Sequence, residues 1–384
     1  MCILEQEPIS WAFGSGMRVC SKACGNRLQT LGLLTVEQGS DHPGDRKTPS
    51  LSDVARLAGV STATASRVLA KSRPVRDEAR RRVLESAARL DYSTNLHARA
   101  LAQSRDASIG VVVHDVNDPY FSEIVRGVLE GAEASNQMVF ISNTYRDIER
   151  ELEYIRRFRA QRVKALVLAG SGRLDREAEQ RFSAEIINFE RSGGRAVLIG
   201  RHEAAGDSVA PDNYGGARLV ARHLAELGHR RVGVIAGPPE LTTSLDRLSG
   251  FREELAALGV ELPEVHVRGG RFNRDEAERA TDDLHSAAPN LTAIFAANDV
   301  MAIGVLSCLR RRGVRVPQDV SVVGFDDIPV AADLGPALTS VRVPMAEMGR
   351  RAFALALETP AKRFRAERLP TQLVVRESTA RAQQ

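Results

Sequence analysis

The sequence predicts an all-α helix-turn-helix headpiece followed by an α/β body of two doubly wound lobes. Three observations predict it. Between Leu51 and Leu90 apolar residues recur at helical spacing, interrupted by a short turn at Gly59-Val60-Ser61. From Ile109 onward short apolar runs alternate with longer amphipathic segments, the pattern of parallel strands covered on both faces by helices. About 270 residues follow that point, more than a single core usually holds, so two lobes are expected rather than one.

Taken in order, residues 1–47 show no sustained period and run into the polar stretch GSDHPGDRKTP, which reads as a disordered extension. A three-helix domain is expected over 48–92. Its first helix begins at Leu51, with Ser52 placed to cap it and Val54, Ala55, Leu57 and Ala58 turned inward. Gly59 ends that helix, and Ser61 is placed to cap a second one from Thr62 to Leu69. A third helix is expected from Asp77 to Leu90, with Val83, Leu84, Ala87, Ala88 and Leu90 on its apolar face. Residues 93–107 form a linker, and the lobed body occupies 108–384. Its strands are expected at Ile109–Val113, Val139–Ser142, Ala165–Leu168, Ala196–Ile199, Val232–Ile235, Ala293–Ala296 and Ser321–Phe325. Among the intervening helices are Phe121–Ala134, Gly216–Leu227, Arg247–Leu258 and Met301–Arg311.

Net charge is a modest +4, but it is unevenly placed. Between Leu51 and Arg105 eleven Lys or Arg face five acids, so the rest of the chain is slightly acidic. A basic module on a near-neutral body is the footprint of a part that meets phosphate, although a solvated arginine-rich face explains the charge equally well by itself. No run approaches the ~18 apolar residues of a membrane helix. The first residues lack a basic start followed by an apolar core, so no secretory signal is read and a cytoplasmic protein is expected. Three of the four cysteines (Cys2, Cys20, Cys24) lie in the extension, which argues against a disulfide framework. Cys20 and Cys24 lack a second pair at metal-ligand spacing, so neither metal nor cofactor is expected. There is no HExxH, phosphate-loop or GxSxG arrangement and the eight histidines are scattered, so an enzyme is not expected.

The stretch LSDVARLAGVSTATASRVLAKSRPVRDEARRRVLESAARLDY resembles the headpiece of the LacI/GalR family of transcriptional regulators, and the resemblance extends to about Ala380. It implies a periplasmic-binding-protein-like sensor behind a DNA-binding domain, and a repressor whose operator affinity is set by a small molecule. In a helix-turn-helix the amino-terminal residues of the second helix reach base edges, which assigns Thr62, Ala63 and Arg67 to base readout. Ser50, Ser61, Thr64 and Ser66 match the family's backbone-contact positions, with helix capping as the plainer role for these hydroxyls. Ala70 stands where the family usually has Asn, and Arg76 where a capping Ser opens the third helix. Ser93–Ser104 resembles the family's hinge helix, with Leu101 matching the leucine that wedges into the minor groove. Asn95, Ala98 and Arg99 match neighbouring contact positions, while Thr94 replaces a common proline. A palindromic operator and a homodimer follow from two-fold symmetry. No leucine heptads after Leu373 suggest a larger coil.

Ligands of open parallel sheets bind beyond the carboxyl ends of the strands. The segments expected there are His114–Phe121, Gly200-Arg201, the GPPELTTSLDRLSGF stretch, Asn298-Asp299 and Asp326-Asp327. Together they offer aromatic, amide, carboxylate and guanidinium groups, a chemistry suited to a sugar or other small polyol. The resemblance implies that Tyr120 and Phe121 are ligand-contact aromatics, Arg247 the main ligand arginine, and Asn298 and Asp326 its amide and carboxylate partners. Thr243 and Phe272 match further pocket positions. An Arg247–Asp326 structural ion pair and helix capping by Asn298 are the plain alternatives. Gly200 replaces a common effector-contacting Asp, and Leu241 a polar residue.

Overall fold

A computed structural model describes residues 49–70, 74–92, 108–359, 361 and 363–383. The expected extension over 1–47 and the hinge residues Asn95, Ala98, Arg99 and Leu101 lie outside the described residues. The chain divides into two compact units, one up to Asn95 and one from Leu96.

The first unit packs α1 (Leu51–Ala58), α2 (Thr62–Ala70) and α3 (Asp77–Arg89) around Val54, Ala55, Ala58, Ala65, Val68, Val83 and Ala87. Full burial of Val54 and Val83 contributes roughly 1.5–3 kcal/mol each. Three expectations need correction. Ser50, not Ser52, caps α1, because Asp53 three residues on completes a reciprocal capping box with it. Leu57 and Leu84 stay 45% and 49% exposed, and Ala88 is exposed as well. With only three short helices, the inward arc of each is narrower than its apolar stripe. Gly59 closes α1 in the left-handed region (φ 63°), as a C-terminal glycine readily does.

The second unit runs β1 (Ser108–Val113), α4 (Pro119–Ala134), β2 (Met138–Asn143), α5 (Ile148–Ala160), β3 (Ala165–Ala169), α6 (Arg176–Arg191), β4 (Arg195–Ile199) and β5 (Asp207–Pro211). It continues with α7 (Asn213–Glu226), β6 (Val232–Ala236), α8 (Thr242–Ala257), β7 (Val267–Gly269), α9 (Arg274–Ala287), β8 (Ala293–Ala296), α10 (Asp299–Arg311) and β9 (Ser321–Asp326). β10 (Thr339–Arg342), α11 (Met345–Leu357), β11 (Ala366–Leu369) and β12 (Gln372–Val374) complete it. One sheet has the order β11-β5-β4-β3-β1-β2 and is parallel throughout. The other has the order β12-β10-β9-β8-β6-β7 and is parallel except for β12. These are the two doubly wound lobes. Central strands β3, β4, β6, β8 and β9 are buried at every residue, as strands with helices on both faces must be.

The chain re-enters the first lobe late. α11 lies against α4 so closely that a Cβ on Gly127 would stand 2.0 Å from the Ala346 carbonyl oxygen, and one on Gly349 would stand 2.1 Å from that of Ile124. The seven expected strands are present within a residue or two, whereas β5, β7 and β10–β12 were not expected. They are short, and although Thr339, Ser340 and Val341 of β10 and alternate residues of β5 are buried, Val341 and Val209 are isolated among polar or half-buried neighbours and leave little apolar trace.

Candidate DNA-reading face and ligand cleft

Helix α2 buries Ala65 and Val68 against its neighbours, and that spacing fixes what its other side shows. Thr62, Ala63, Ser66 and Arg67 all lie exposed, with Thr62 above Ser66 and Ala63 above Arg67 at the four-residue spacing of one helical face. Among the described residues no acid pairs with Arg67. Arg56 on α1, by contrast, is tied to Asp53. Ser61 Oγ accepts from the Thr64 amide at 3.1 Å and lies 2.9 Å from Thr64 Oγ1. Ser50 Oγ donates to Asp53 Oδ2 at 2.6 Å and accepts from the Asp53 amide at 3.3 Å. The hydroxyls of Ser50, Ser61 and Thr64 therefore hold helix ends while remaining at the surface. Arg76 occupies the N-cap position of α3 without a side-chain cap bond, and Asp77 and Glu78 supply the negative charge its first turn favours.

In the second unit each sheet reverses its winding once, between β1 and β3 and between β6 and β8. Loops leaving such neighbours diverge and open a crevice beyond the carboxyl ends of the strands. Both crevices meet in one cavity of about 30 Å³, enough for about one water and far below the ~300–1,000 Å³ of a ligand site. Tyr120, Phe121, Thr243, Arg247, Phe272, Asn298 and Asp326 all line it, together with His114, Asp118, Arg146, Ser171, Gly200 and Leu241.

Tyr120 packs edge-on to Phe121 with ring centroids 5.1 Å apart. Arg247 is buried with each of its three side-chain nitrogens bonded: its Nε donates to Asn213 Oδ1 at 2.9 Å, Nη1 to the Ala297 carbonyl at 2.5 Å and Nη2 to Asp326 Oδ1 at 2.7 Å. Its guanidinium also lies 3.8 Å from the Phe325 ring centroid. Burial pushes the Asp326 carboxyl up to about 7, against the pull of Arg247. Asn298 caps α10, its Oδ1 accepting from the Met301 amide at 2.9 Å. The ion pair and the cap are thus both present at the cleft, and each leaves donors that a ligand can use. Burial also lowers the His114 imidazole pKa, outweighing Glu151 at 3.9 Å, and raises the Asp118 carboxyl.

Polar contacts tie the two lobes beside the cavity. Ser171 Oγ donates to Thr243 Oγ1 at 2.7 Å, and Thr242 Oγ1 donates to the Arg201 carbonyl at 2.8 Å. Arg201 holds Asp246 with two bonds of 2.9 and 2.8 Å. Backbone bonds from Thr242 to Gly172 and from Leu174 to Glu240 complete the seam.

Residues 50–95 match the sequence profile of bacterial regulatory proteins, lacI family, and residues 221–379 that of a periplasmic binding protein-like domain. The HTH-type transcriptional regulator GalS of Salmonella typhimurium is 37% identical over 314 residues, 81% of this chain and 90% of its own. The chain belongs to the LacI family. The ribose operon repressor of Halalkalibacterium halodurans is 34% identical over 336 residues, 86% of this chain and 97% of its own. A crystal structure of the lac repressor dimer bound to operator and the anti-inducer ONPF is similar with a TM-score of 0.75 at 26% identity, covering 87% of this chain and 100% of that one. As a LacI-family member the chain is a DNA-binding transcriptional regulator. Among the described residues no helix is long and apolar enough to cross a membrane.

Two features of this LacI-family cleft escape a reading of sequence alone. Arg146 follows β2 and Ser171 follows β3, so the same carboxyl-end rule that selects the other loops would have found both. Ser171 stands alone among small residues, whereas Arg146 belongs to the polar run Asn143-Thr144-Tyr145-Arg146-Asp147. Leu241, noted only as a departure, lines the cavity beside Thr243.

Proposed function

We propose that the chain is a homodimeric, cytoplasmic repressor that reads a palindromic operator through α2 and releases or tightens its grip when a small molecule binds between the lobes. Residues 48–92 serve as the DNA-binding domain, 93–107 as hinge and linker, and 108–384 as the effector-binding domain, with 1–47 an extension outside both. The observation that carries the reading is the exposed face of α2, where Arg67 stands without an acidic partner among the described residues. A guanidinium free to fork onto a guanine edge discriminates by roughly 1–3 kcal/mol per base pair. Thr62 and Ala63 read the adjoining bases, the hydroxyls of Ser50, Ser61, Thr64 and Ser66 meet phosphates, and Leu101 wedges the minor groove with Asn95, Ala98 and Arg99 beside it.

The apolar edge of β2 supports a second copy as partner, since Met138, Phe140 and Ile141 are 42–53% exposed on a strand with an unpaired side. Tyr120, Phe121, Thr243, Arg247, Phe272, Asn298 and Asp326 contact the effector, a sugar or related metabolite. The small cavity supports a sensor that changes shape, because such a ligand enters only when the lobes part or side chains withdraw. Effector that prefers one lobe arrangement shifts the population toward it, by as much as its affinities for the two differ. No turnover of the bound molecule is expected. The cleft acids and the imidazole already face partners, Asp326 to Arg247 and His114 to Glu151.

Selection of bound sequences from a random duplex pool tests the reading. The purified full chain is expected to enrich a palindrome, and Arg67→Ala, which removes one contact of about 1–3 kcal/mol from each half-site, to bind it more weakly by roughly 30-fold or more, with relaxed preference at one position per half-site. Failure of the folded protein to enrich any sequence at moderate salt would remove DNA reading from the account.

A further inference from the structure

Arg146 stands in a tight turn after β2 where Tyr145 and Arg146 both have left-handed backbones, φ 53° and 63°. Side chains other than glycine rarely adopt that region, and such outliers cluster at ligand sites. The turn is fixed from below: the Tyr145 amide donates to the His114 carbonyl at 2.7 Å, and Thr144 is fully buried. It aims the Arg146 guanidinium into the cleft, 6.0 Å from the Phe121 ring of the first lobe and 5.6 Å from the Phe272 ring of the second. The side chain is only 26% exposed, yet among the described residues its guanidinium donates no hydrogen bond. Its ionic neighbour Asp118 is 3.7 Å away, and Asp118 Oδ1 already accepts from the Tyr120 amide at 3.0 Å.

Arg247, with three close acceptors, has far less to offer an incoming charge. Gly200 adds no carboxylate to the same rim. Arg173 donates to the Arg146 carbonyl at 2.5 Å and brings a second cation near the turn.

We propose that Arg146 sets the chemical class of the effector: a small polar molecule carrying an oxyanion, either a carboxylate or a phosphate ester, received between Phe121 and Phe272. The planar fork of arginine matches such oxygens in pairs, and the two aromatic faces hold its plane. A neutral polyol would offer hydroxyl acceptors but no counter-charge to a largely buried guanidinium. This inference rests on the cleft being the effector site.

The test uses the full chain without DNA. Thermal stabilisation and isothermal titration are measured with neutral hexoses and pentoses, their uronic or aldonic acids, their phosphate esters, and inorganic phosphate as the minimal oxyanion. At least one charged probe is expected to bind ten-fold or more tightly than its neutral parent. Arg146→Gln should weaken it at least ten-fold, and Arg146→Lys should keep part of the affinity. The carboxylate and phosphate arms distinguish the two oxyanions. A neutral sugar that binds as tightly as its charged forms, a charged probe unaffected by Arg146→Gln, or no binding of any charged probe to the wild type would overturn the proposal. The charged-against-neutral comparison on the wild type stands even if Arg146→Gln folds poorly. Because no readout involves DNA, failure here leaves operator reading intact, and failure to enrich an operator leaves this result intact.

Discussion

Asp326→Asn removes a carboxyl group that the folded protein keeps protonated to unusually high pH. Burial raises it from the ordinary value of 3.8 to about 7, a difference worth about 4 kcal/mol at 1.36 kcal/mol per pH unit. The sign follows from proton binding. Below about pH 4 the group is protonated in both folded and unfolded chains, and its stabilising share is fully present. Between pH 4 and 7 the unfolded chain releases the proton while the folded one retains it, so stability falls as pH rises, and the loss levels off above the folded value. Asparagine cannot titrate, so the variant lacks this slope. Urea unfolding followed by circular dichroism from pH 4.5 to 8 should show wild-type stability falling relative to Asp326→Asn by up to about 3 kcal/mol of that total. Parallel curves over that range would refute the reasoning, and would mean that Arg247 at 2.7 Å keeps the carboxylate ionised throughout.

Arg247→Leu removes the cation that offsets burial at Asp326 and should destabilise the effector domain by about 3–5 kcal/mol above pH 7, with a smaller loss in thermal melts below pH 7, where the carboxyl is protonated. Gly349→Ala places a Cβ against the Ile124 carbonyl across the α4–α11 contact. It should cost about 1–3 kcal/mol in urea unfolding without altering ligand affinity. Ser50→Ala removes the α1 cap and should lower headpiece stability by about 1 kcal/mol in thermal melts, with weaker operator binding measured by anisotropy.

The lobed architecture was legible because fully buried parallel strands, such as Ala165–Leu168 and Ala293–Ala296, are uninterrupted apolar runs bounded by polar loops. Peripheral strands lack that signal. β2 is half exposed yet was expected at Val139–Ser142, whereas β11 alternates exposed and half-buried residues and only tertiary pairing defines it. In the headpiece, helical periodicity located all three helices but overstated how much of each turns inward, as Leu57, Leu84 and Ala88 show. Serine alone did not distinguish Ser52 from Ser50 as the cap; the Asp53 partner three residues beyond Ser50 did. At the cleft, side chains after β1, β4, β6, β8 and β9 stood out as polar clusters. The carboxyl-end rule also reaches Arg146 after β2, but only the fold sets it between Phe121 and Phe272, rings more than a hundred residues apart in sequence.

The most direct test of the central claim, that lobe arrangement governs DNA affinity, needs no knowledge of the effector. Ser171 and Thr243 meet across the lobes through hydroxyls 2.7 Å apart, so Ser171→Cys with Thr243→Cys can lock them by a disulfide. Operator affinity of that double variant is compared oxidised and reduced, with the wild type treated identically. The account predicts a difference of about 5-fold to 150-fold between the locked and reduced forms, the usual range of coupling between distinct sites, and none for the wild type. Equal affinities for a fully cross-linked and a reduced protein would contradict it.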